Sequence, residues 1–401
     1  MSAARRSSRL TASGSGARAA TAALVGAAGL LVAACGSSAA RAPATSAETA
    51  AVAASPLGTS VSTASATWAT MVMGGSAAQH NDFWQLFVRP SGLSQWKLVT
   101  PPGTADNGGL VLAPAGGAGL ITAFRPSQLL TYTPLSQTSD AGRTWSAINP
   151  FDAALASTPA AMAAQPGGNQ IIALDATGTA EEATAGSSAW HTLATTRTVA
   201  ATAAGRRCGL TSLTAVGWQT GVPLLAGTCS HADATGIFAL ESGTWQAAGP
   251  SLPASIAGGR VSVSRLAVTA SQTIALLTAG TGHTARLVAA WSNAGSQHWT
   301  LSPPLALNGT GPASASFGPG GLVAVMTAAD HGAVIAGKDN SWEELPALPA
   351  GTATLAPSAS GLVDALAVHG GTLTVWQLAP GATTWTQTQV IKVPIQYGSS
   401  S

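Results

Sequence analysis

Seven tryptophans recur in similar settings along this chain. They are Trp96 in SQWKLV, Trp145 in GRTWSAI, Trp190 in SAWHTL, Trp245 in GTWQAA, Trp299 in QHWTLS, Trp342 in NSWEEL and Trp385 in TTWTQT. Successive spacings are 49, 45, 55, 54, 43 and 43 residues. A period of this size marks a supersecondary unit that buries little alone and stacks on its neighbours to make a continuous core. Helical repeats of similar length exist, so the segments between the tryptophans decide. These are short aliphatic and β-branched runs cut by Gly, Pro and Asn, such as Gly321–Met326, Ala333–Ala336 and Gly361–Val368. Runs this short suit buried strands rather than helices.

The last two units read alike. An opening strand (312–317 or 352–356) precedes an apolar strand (321–327 or 361–368), a tight turn and a third strand (333–337 or 372–378). A fourth strand opens on Trp342 or Trp385, and Pro usually follows within a few residues: Pro101, Pro150, Pro250, Pro303 and Pro346. Pro cannot join a central ladder and suits the exit from an outer strand. Four strands per period is one blade of a β-propeller, a closed architecture that protects its sheet edges. Dividing residues 63–396 by seven gives about 48 per blade, within the range of such repeats. The fold class is therefore all-β, a seven-bladed β-propeller, with six or eight blades as alternatives. The remaining tryptophans, 68, 84, 218, 291 and 376, fall in expected strands and are assigned to the core.

Composition excludes the competing classes. Only 8% of the 401 residues are charged, too few for a coiled coil. Twelve Trp and 46% hydrophobic residues exclude a disordered chain.

The stretch Thr138-Ser139-Asp140-Ala141-Gly142-Arg143-Thr144-Trp145 matches S/T-x-D-x-G-x-T-W at every specified position, and Ser292–Trp299 is a poorer copy. This resembles the Asp-box (BNR repeat) of sialidase-like β-propellers. The resemblance implies a structural turn, with Thr138, Asp140, Gly142, Thr144 and Trp145 as fold markers rather than catalytic groups. Asp140 can accept hydrogen bonds from nearby amides, and Gly142 can take positive φ.

Residues 1–18 carry Arg5, Arg6, Arg9 and Arg18 and no acid, and residues 19–34 are apolar. This is the pattern of a secretory signal, and the apolar run is shorter than the roughly 20 residues of a membrane span. Arg5-Arg6, followed by Ser7-Ser8-Arg9, matches a twin-Arg signal poorly. Leu31-Val32-Ala33-Ala34-Cys35-Gly36 resembles the lipobox of bacterial lipoproteins. The resemblance implies that Cys35 is acylated and becomes the mature N-terminus, with palmitate among its chains. It places the protein on the extracytoplasmic face of the cell membrane. Residues 35–62 are almost wholly Ala, Ser, Thr, Gly and Pro, the composition of a tether, with a coil reach of about 30 Å. The expected organisation is signal 1–34, tether 35–62, propeller 63–396 and tail 397–401. Without the leader, 13 basic and 15 acidic residues remain, a balance with no electrostatic footprint for nucleic acid.

Cys208 and Cys229 flank two apolar strands, about 210–216 and 222–228, joined by a turn at Gln219-Thr220-Gly221. Their index sum of 437 lies close to the 438 of a hairpin centred near 219, which predicts facing thiols and a disulfide.

Candidate chemistry is thin. The sialidase resemblance extends to Phe87-Val88-Arg89-Pro90 and Phe124-Arg125-Pro126, fragments similar to the family's Arg-containing motif. That family needs a Tyr nucleophile, and the two tyrosines, Tyr132 and Tyr397, do not sit in a late blade beside an acid. Ordinary glycosidases need two inward carboxylates, and Asp106, Asp175, Asp364 and Glu241 show no pairing by spacing. The seven His have no metal-ligand spacing, and there is neither a Walker sequence nor a GxSxG elbow. Arg206-Arg207 reads as a solvated turn, and Asn308-Gly309-Thr310 is a sequon without meaning in a bacterium. The reading is a lipid-anchored, monomeric binding or scaffold module for a protein or envelope glycan, without cofactor, metal or catalytic residue. The alternative is a sialidase-like glycoside hydrolase acting in the central funnel.

Overall fold

The computed structural model describes residues 60–394, with breaks of which the longest are 76–81, 101–108, 126–134 and 147–158. The leader, Cys35, most of the tether and the tail 397–401 lie outside the described residues. The described strands group in chain order into seven antiparallel meanders.

Meander 1 comprises β1 (Ser60–Ser62), β2 (Ala66–Gly74), β3 (Asp82–Pro90) and β4 (Lys97–Leu98), so the sheet begins three residues inside the expected tether. Meander 2 has β5 (Gly109–Gly116), β6 (Gly119–Arg125) and β7 (Ser136–Thr138), with Ser146 bridging Gln137 where a fourth strand would stand. Meander 3 has β8 (Pro159–Ala164), β9 (Gln170–Asp175), β10 (Thr179–Thr184) and β11 (His191–Thr195). Two short helices follow, α1 (Thr196–Ala200) and α2 (Ala203–Cys208). Meander 4 has β12 (Leu210–Gln219), β13 (Val222–Cys229), β14 (Gly236–Glu241) and β15 (Thr244–Ala247). Meander 5 has β16 (Val261–Val268), β17 (Gln272–Ala279) and β18 (Arg286–Asn293), with β19 (Trp299–Leu301) and β20 (Leu305–Ala306) both on β18. Meander 6 has β21 (Pro312–Phe317), β22 (Leu322–Thr327), β23 (Gly332–Ala336) and β24 (Glu343–Glu344). Meander 7 has β25 (Thr352–Pro357), β26 (Val363–His369), β27 (Thr372–Leu378) and β28 (Thr386–Lys392).

Each of the seven repeated tryptophans stands at the opening of the fourth strand position, within two residues of its start. The first strands converge at the centre: β1 pairs in parallel with β21 through Val61 and Phe317, and β13 pairs with β16 beside them. Six first strands, β5, β8, β12, β16, β21 and β25, shift register by a bulge against their second strand, which raises local twist.

The core is a circuit. Along β22, Val323 and Val325 face meander 5, packing with Leu276, Leu287 and Trp291. Their neighbours Ala324 and Met326 face meander 7, packing with Leu355 and Val363. The same alternation builds clusters between meanders 1 and 2, 2 and 3, 3 and 4, and 4 and 5. A last cluster joins Leu366, Leu373 and Val375 of meander 7 to Met71, Met73 and Phe87 of meander 1. Strands buried on both faces must be apolar at odd and even positions alike, which is why they read as runs rather than alternations. Each fully buried side chain of this kind contributes about 1.5–3 kcal/mol. The result is an all-β propeller.

Two sequence expectations change. Arg206-Arg207, read as a solvated turn, lies on a helix, and most of the stretch 196–208 is helical. Thr195 caps α1 in a capping box with Thr198, Thr202 caps α2, and Gly209 at φ 64° ends it in the left-handed region. The Cys208–Cys229 disulfide is present, with Cα atoms 5.2 Å apart, but it is not a cross-strand pair. Cys229 lies opposite Leu210: the hairpin turns at Thr220-Gly221, and the two bulges in β12 recover only part of the offset, so Cys208 stays on α2 and the bond ties the helix to the end of β13.

Candidate functional site: central cavity and closing seam

Six of the first strands, β1, β5, β8, β12, β16 and β21, contribute to a central cavity of about 90 Å³. Its wall is mostly apolar: Val61, Leu112, Met162, Val216, Ile274 and Phe317. Arg265 is the one ionisable side chain among the described lining residues. It is buried, donates Nη1 to the Ala315 carbonyl across the junction, and lies 5.2 Å from the centre of the Phe317 ring. Desolvation pushes its guanidinium down to about 10, so it stays charged at neutral pH.

A larger cavity, about 410 Å³, opens where meanders 1, 6 and 7 meet. Arg89 and Gln377 line it together with Thr67, Ser94, Ser358 and Leu93. Behind them is a buried polar clasp. Arg89 on β3 donates to Asp364 Oδ2 on β26, and Trp96 Nε1 donates to the same oxygen at 2.8 Å. Gln377 Nε2 donates to Asp364 Oδ1 at 3.1 Å. The Arg89 guanidinium sits 5.3 Å from the centre of the Trp96 ring. Gln389 on β28 then closes over the Trp96 backbone, accepting from its N–H at 2.9 Å and donating to its carbonyl at 2.8 Å. Asp364 is fully buried, and a buried carboxylate is tolerated because every one of these donors meets it.

The clasp uses two residues that sequence reasoning placed elsewhere. Arg89, from the sialidase-like fragment, is bound to Asp364, one of the candidate carboxylates. Of the other acids, Asp175 closes its own turn by accepting from Thr177 N at 2.9 Å and Thr179 N at 2.8 Å, and Glu241 is exposed at the β14–β15 turn. Asp106, Tyr132, Tyr397 and the side chains of Phe124 and Arg125 lie outside the described residues. Among the described residues no group of three His, Cys, Asp or Glu converges as a metal site.

In the 138–145 turn, Thr144 N and Oγ1 donate to Asp140 Oδ1 and Oδ2 at 2.9 and 2.6 Å. Thr138 Oγ1 donates to Asp140 Oδ1 at 2.9 Å and accepts from Gly142 N at 3.0 Å. The Thr144 bonds hold the Asp140 carboxyl down at about 2, against 3.8 ordinarily. Gly142 has φ 76°, and a Cβ there would stand 2.8 Å from Val99 Cβ. Trp145 is half-buried against the cluster between meanders 1 and 2.

The repeated tryptophans reveal a relation that the spacing alone did not. Trp299 Nε1 donates to the Ala248 carbonyl at 2.8 Å, Trp342 to Pro303 at 2.9 Å, and Trp385 to Pro346 at 3.4 Å. Each acceptor lies three or four residues beyond the tryptophan of the preceding meander. Two of these acceptors, Pro303 and Pro346, are among the prolines that follow the repeated tryptophans in the sequence.

No protein-family model matches the chain, and no curated protein matches it. Among solved structures, it is similar to YCF48 from Cyanidioschyzon merolae, at 13% identity, covering 78% of this chain and 96% of that one, with a TM-score of 0.42. It is also similar to TolB from Acinetobacter baumannii, at 10% identity, with coverages of 81% and 65% and a TM-score of 0.38. A third is the Aleuria aurantia lectin, described as a six-bladed propeller, at 14% identity, with coverages of 85% and 96% and a TM-score of 0.37.

Proposed function

We propose that this protein is a lipid-anchored, extracytoplasmic, seven-bladed β-propeller that acts as a non-catalytic binding or scaffold module for a protein or an envelope glycan. The seam cavity carries the reading. Its 410 Å³ falls in the range of ligand sites, whereas the central cavity at 90 Å³ holds only a few waters or a small group. Arg89 is the single ionisable side chain among the described residues lining the seam cavity, and Asp364 already neutralises it. Hydrolysis of a glycoside would ask for two carboxylates facing one cavity, and neither cavity shows them among its described residues. Seven meanders joined by seven apolar clusters support the blade number. The lipobox around Cys35 supports the anchor, and Thr138, Asp140, Gly142, Thr144 and Trp145 serve as the fold-marking turn.

The test is a crosslinking pull-down from intact cells with Cys35→Ala as control. The expected result is a discrete partner recovered with the anchored protein, and membrane release of Cys35→Ala after a high-salt wash. Turnover of a glycoside by the purified protein would overturn the binding-module reading. Retention of Cys35→Ala on washed membranes would overturn the anchor.

A further inference from the structure

The only α-helices among the described residues form the connection from meander 3 to meander 4, and they are basic. Arg197 on α1 and Arg206 and Arg207 on α2 are all exposed. No Asp or Glu occurs from Ala183 to Ala232, so nothing local in sequence answers these charges. The insert is built to hold its shape. Its caps are satisfied at Thr195, Thr202 and Gly209, and the disulfide ties the end of α2 to β13. His231 Nδ1 adds a hydrogen bond of 2.8 Å to the Arg207 carbonyl, and Arg206 donates back to the Ala201 carbonyl.

Its position follows from strand parity. A meander of four antiparallel strands returns the chain to the face where it began, so every first strand starts on the same face of the ring. The insert immediately precedes β12, and the tether immediately precedes β1. The basic helices and the start of β1 therefore share one face. A coil reaching about 30 Å keeps that face close to the membrane that holds Cys35.

We propose that the α1–α2 insert docks on anionic lipid headgroups and sets which face of the propeller meets the membrane. The proposal rests on the anchored, extracytoplasmic reading above. A negatively charged leaflet attracts each nearby Arg by about fivefold in binding, so three together supply about 100-fold at low salt. Membrane attraction of this kind falls as salt screens it.

The experiment uses the mature chain from residue 35 with Cys35→Ala, so that neither acyl chain nor leader contributes. All the core clusters lie within the compact unit Glu48–Ser401, which this chain retains. Partition onto vesicles of phosphatidylcholine with phosphatidylglycerol is compared with vesicles of phosphatidylcholine alone. The expected result is preference for the anionic vesicles, lost by about 100-fold in Arg197→Gln/Arg206→Gln/Arg207→Gln and retained in the corresponding triple Arg→Lys variant. Lys97→Gln/Arg143→Gln, two exposed cations at the entry to fourth strands and so on the opposite face by the same parity, serves as the control and is expected to lose far less. Equal partition by the parent and the Gln variant overturns the proposal, as does an equal loss in the control. Binding to polyglutamate without binding to anionic vesicles overturns it in favour of an acidic macromolecule. Because this chain has no acylated cysteine, a failure here leaves the Cys35 anchor standing, and failed acylation leaves this result standing.

Discussion

Two junctions of the ring each bury an arginine against an aromatic ring, and they use it differently. Between meanders 5 and 6, Arg265 lies over Phe317 and donates to a backbone carbonyl within an apolar cluster. Between meanders 7 and 1, Arg89 lies over Trp96 and meets a fully buried carboxylate that also binds Trp96 and Gln377. The first junction joins sheets that are consecutive in the chain, so a short connection already holds them side by side. The second joins the ends of the fold. Among the described residues no meander mixes strands from the two ends, so the closing contact must carry its own directional bonds. The meander 3 to meander 4 junction stands between these cases: its helical connection is long, and a disulfide fastens it.

The largest expected effect tests the clasp. Asp364→Ala should cost about 3–5 kcal/mol by leaving Arg89 buried and uncompensated. The double variant Arg89→Met/Asp364→Leu should recover most of that loss in denaturant unfolding. If the double variant is as unstable as the single, the clasp is not a charge pair in isolation and the comparison breaks. Next, Cys208→Ala/Cys229→Ala should cost about 3 kcal/mol for a loop of this size, read as a lower midpoint in urea. Equal midpoints would mean that the helical connection needs no fastening. Arg265→Met should cost about 2 kcal/mol by leaving the Ala315 carbonyl without its donor. Trp342→Phe removes one indole bond to Pro303 and should cost about 1 kcal/mol in the same assay.

The smallest effect is on acid stability. The folded state holds Asp140 at about 2 against 3.8 ordinarily, a depressed value. Its stabilisation is therefore complete above pH about 4 and is lost as pH falls towards 2. Asp140→Asn should flatten the part of the stability-against-pH curve in that window. An unchanged slope would show that the turn does not depend on the ionised carboxylate.

The strands of meanders 6 and 7 were legible because their signals are local: an aliphatic run, a turn, and Trp342 or Trp385 before the fourth strand. The α1–α2 helices carried local signals too, in Thr195, Thr202 and Gly209 around an Ala-rich stretch. The tryptophan period argued for strands throughout and overrode them. The hairpin 210–229 was read with nearly the right turn, but the chain turns at Thr220-Gly221, a little later than expected, and the bulges in β12 do not fully bring Cys208 back to the cross-strand position. The seam was not legible. Arg89 and Asp364 are 275 residues apart, and each looked like a separate catalytic candidate.

By itself, the order of residues determined a repeated four-strand unit, its tryptophan at the last strand and two cysteines brought close by one hairpin, because those features depend on neighbours within a few dozen positions. Which side chains meet across the ring was decided only by tertiary structure. Strands apolar on both faces carry no mark of which neighbour each face will meet. Only closing the circuit brings Asp364 to Arg89 and places the basic helices on the same side as the start of β1.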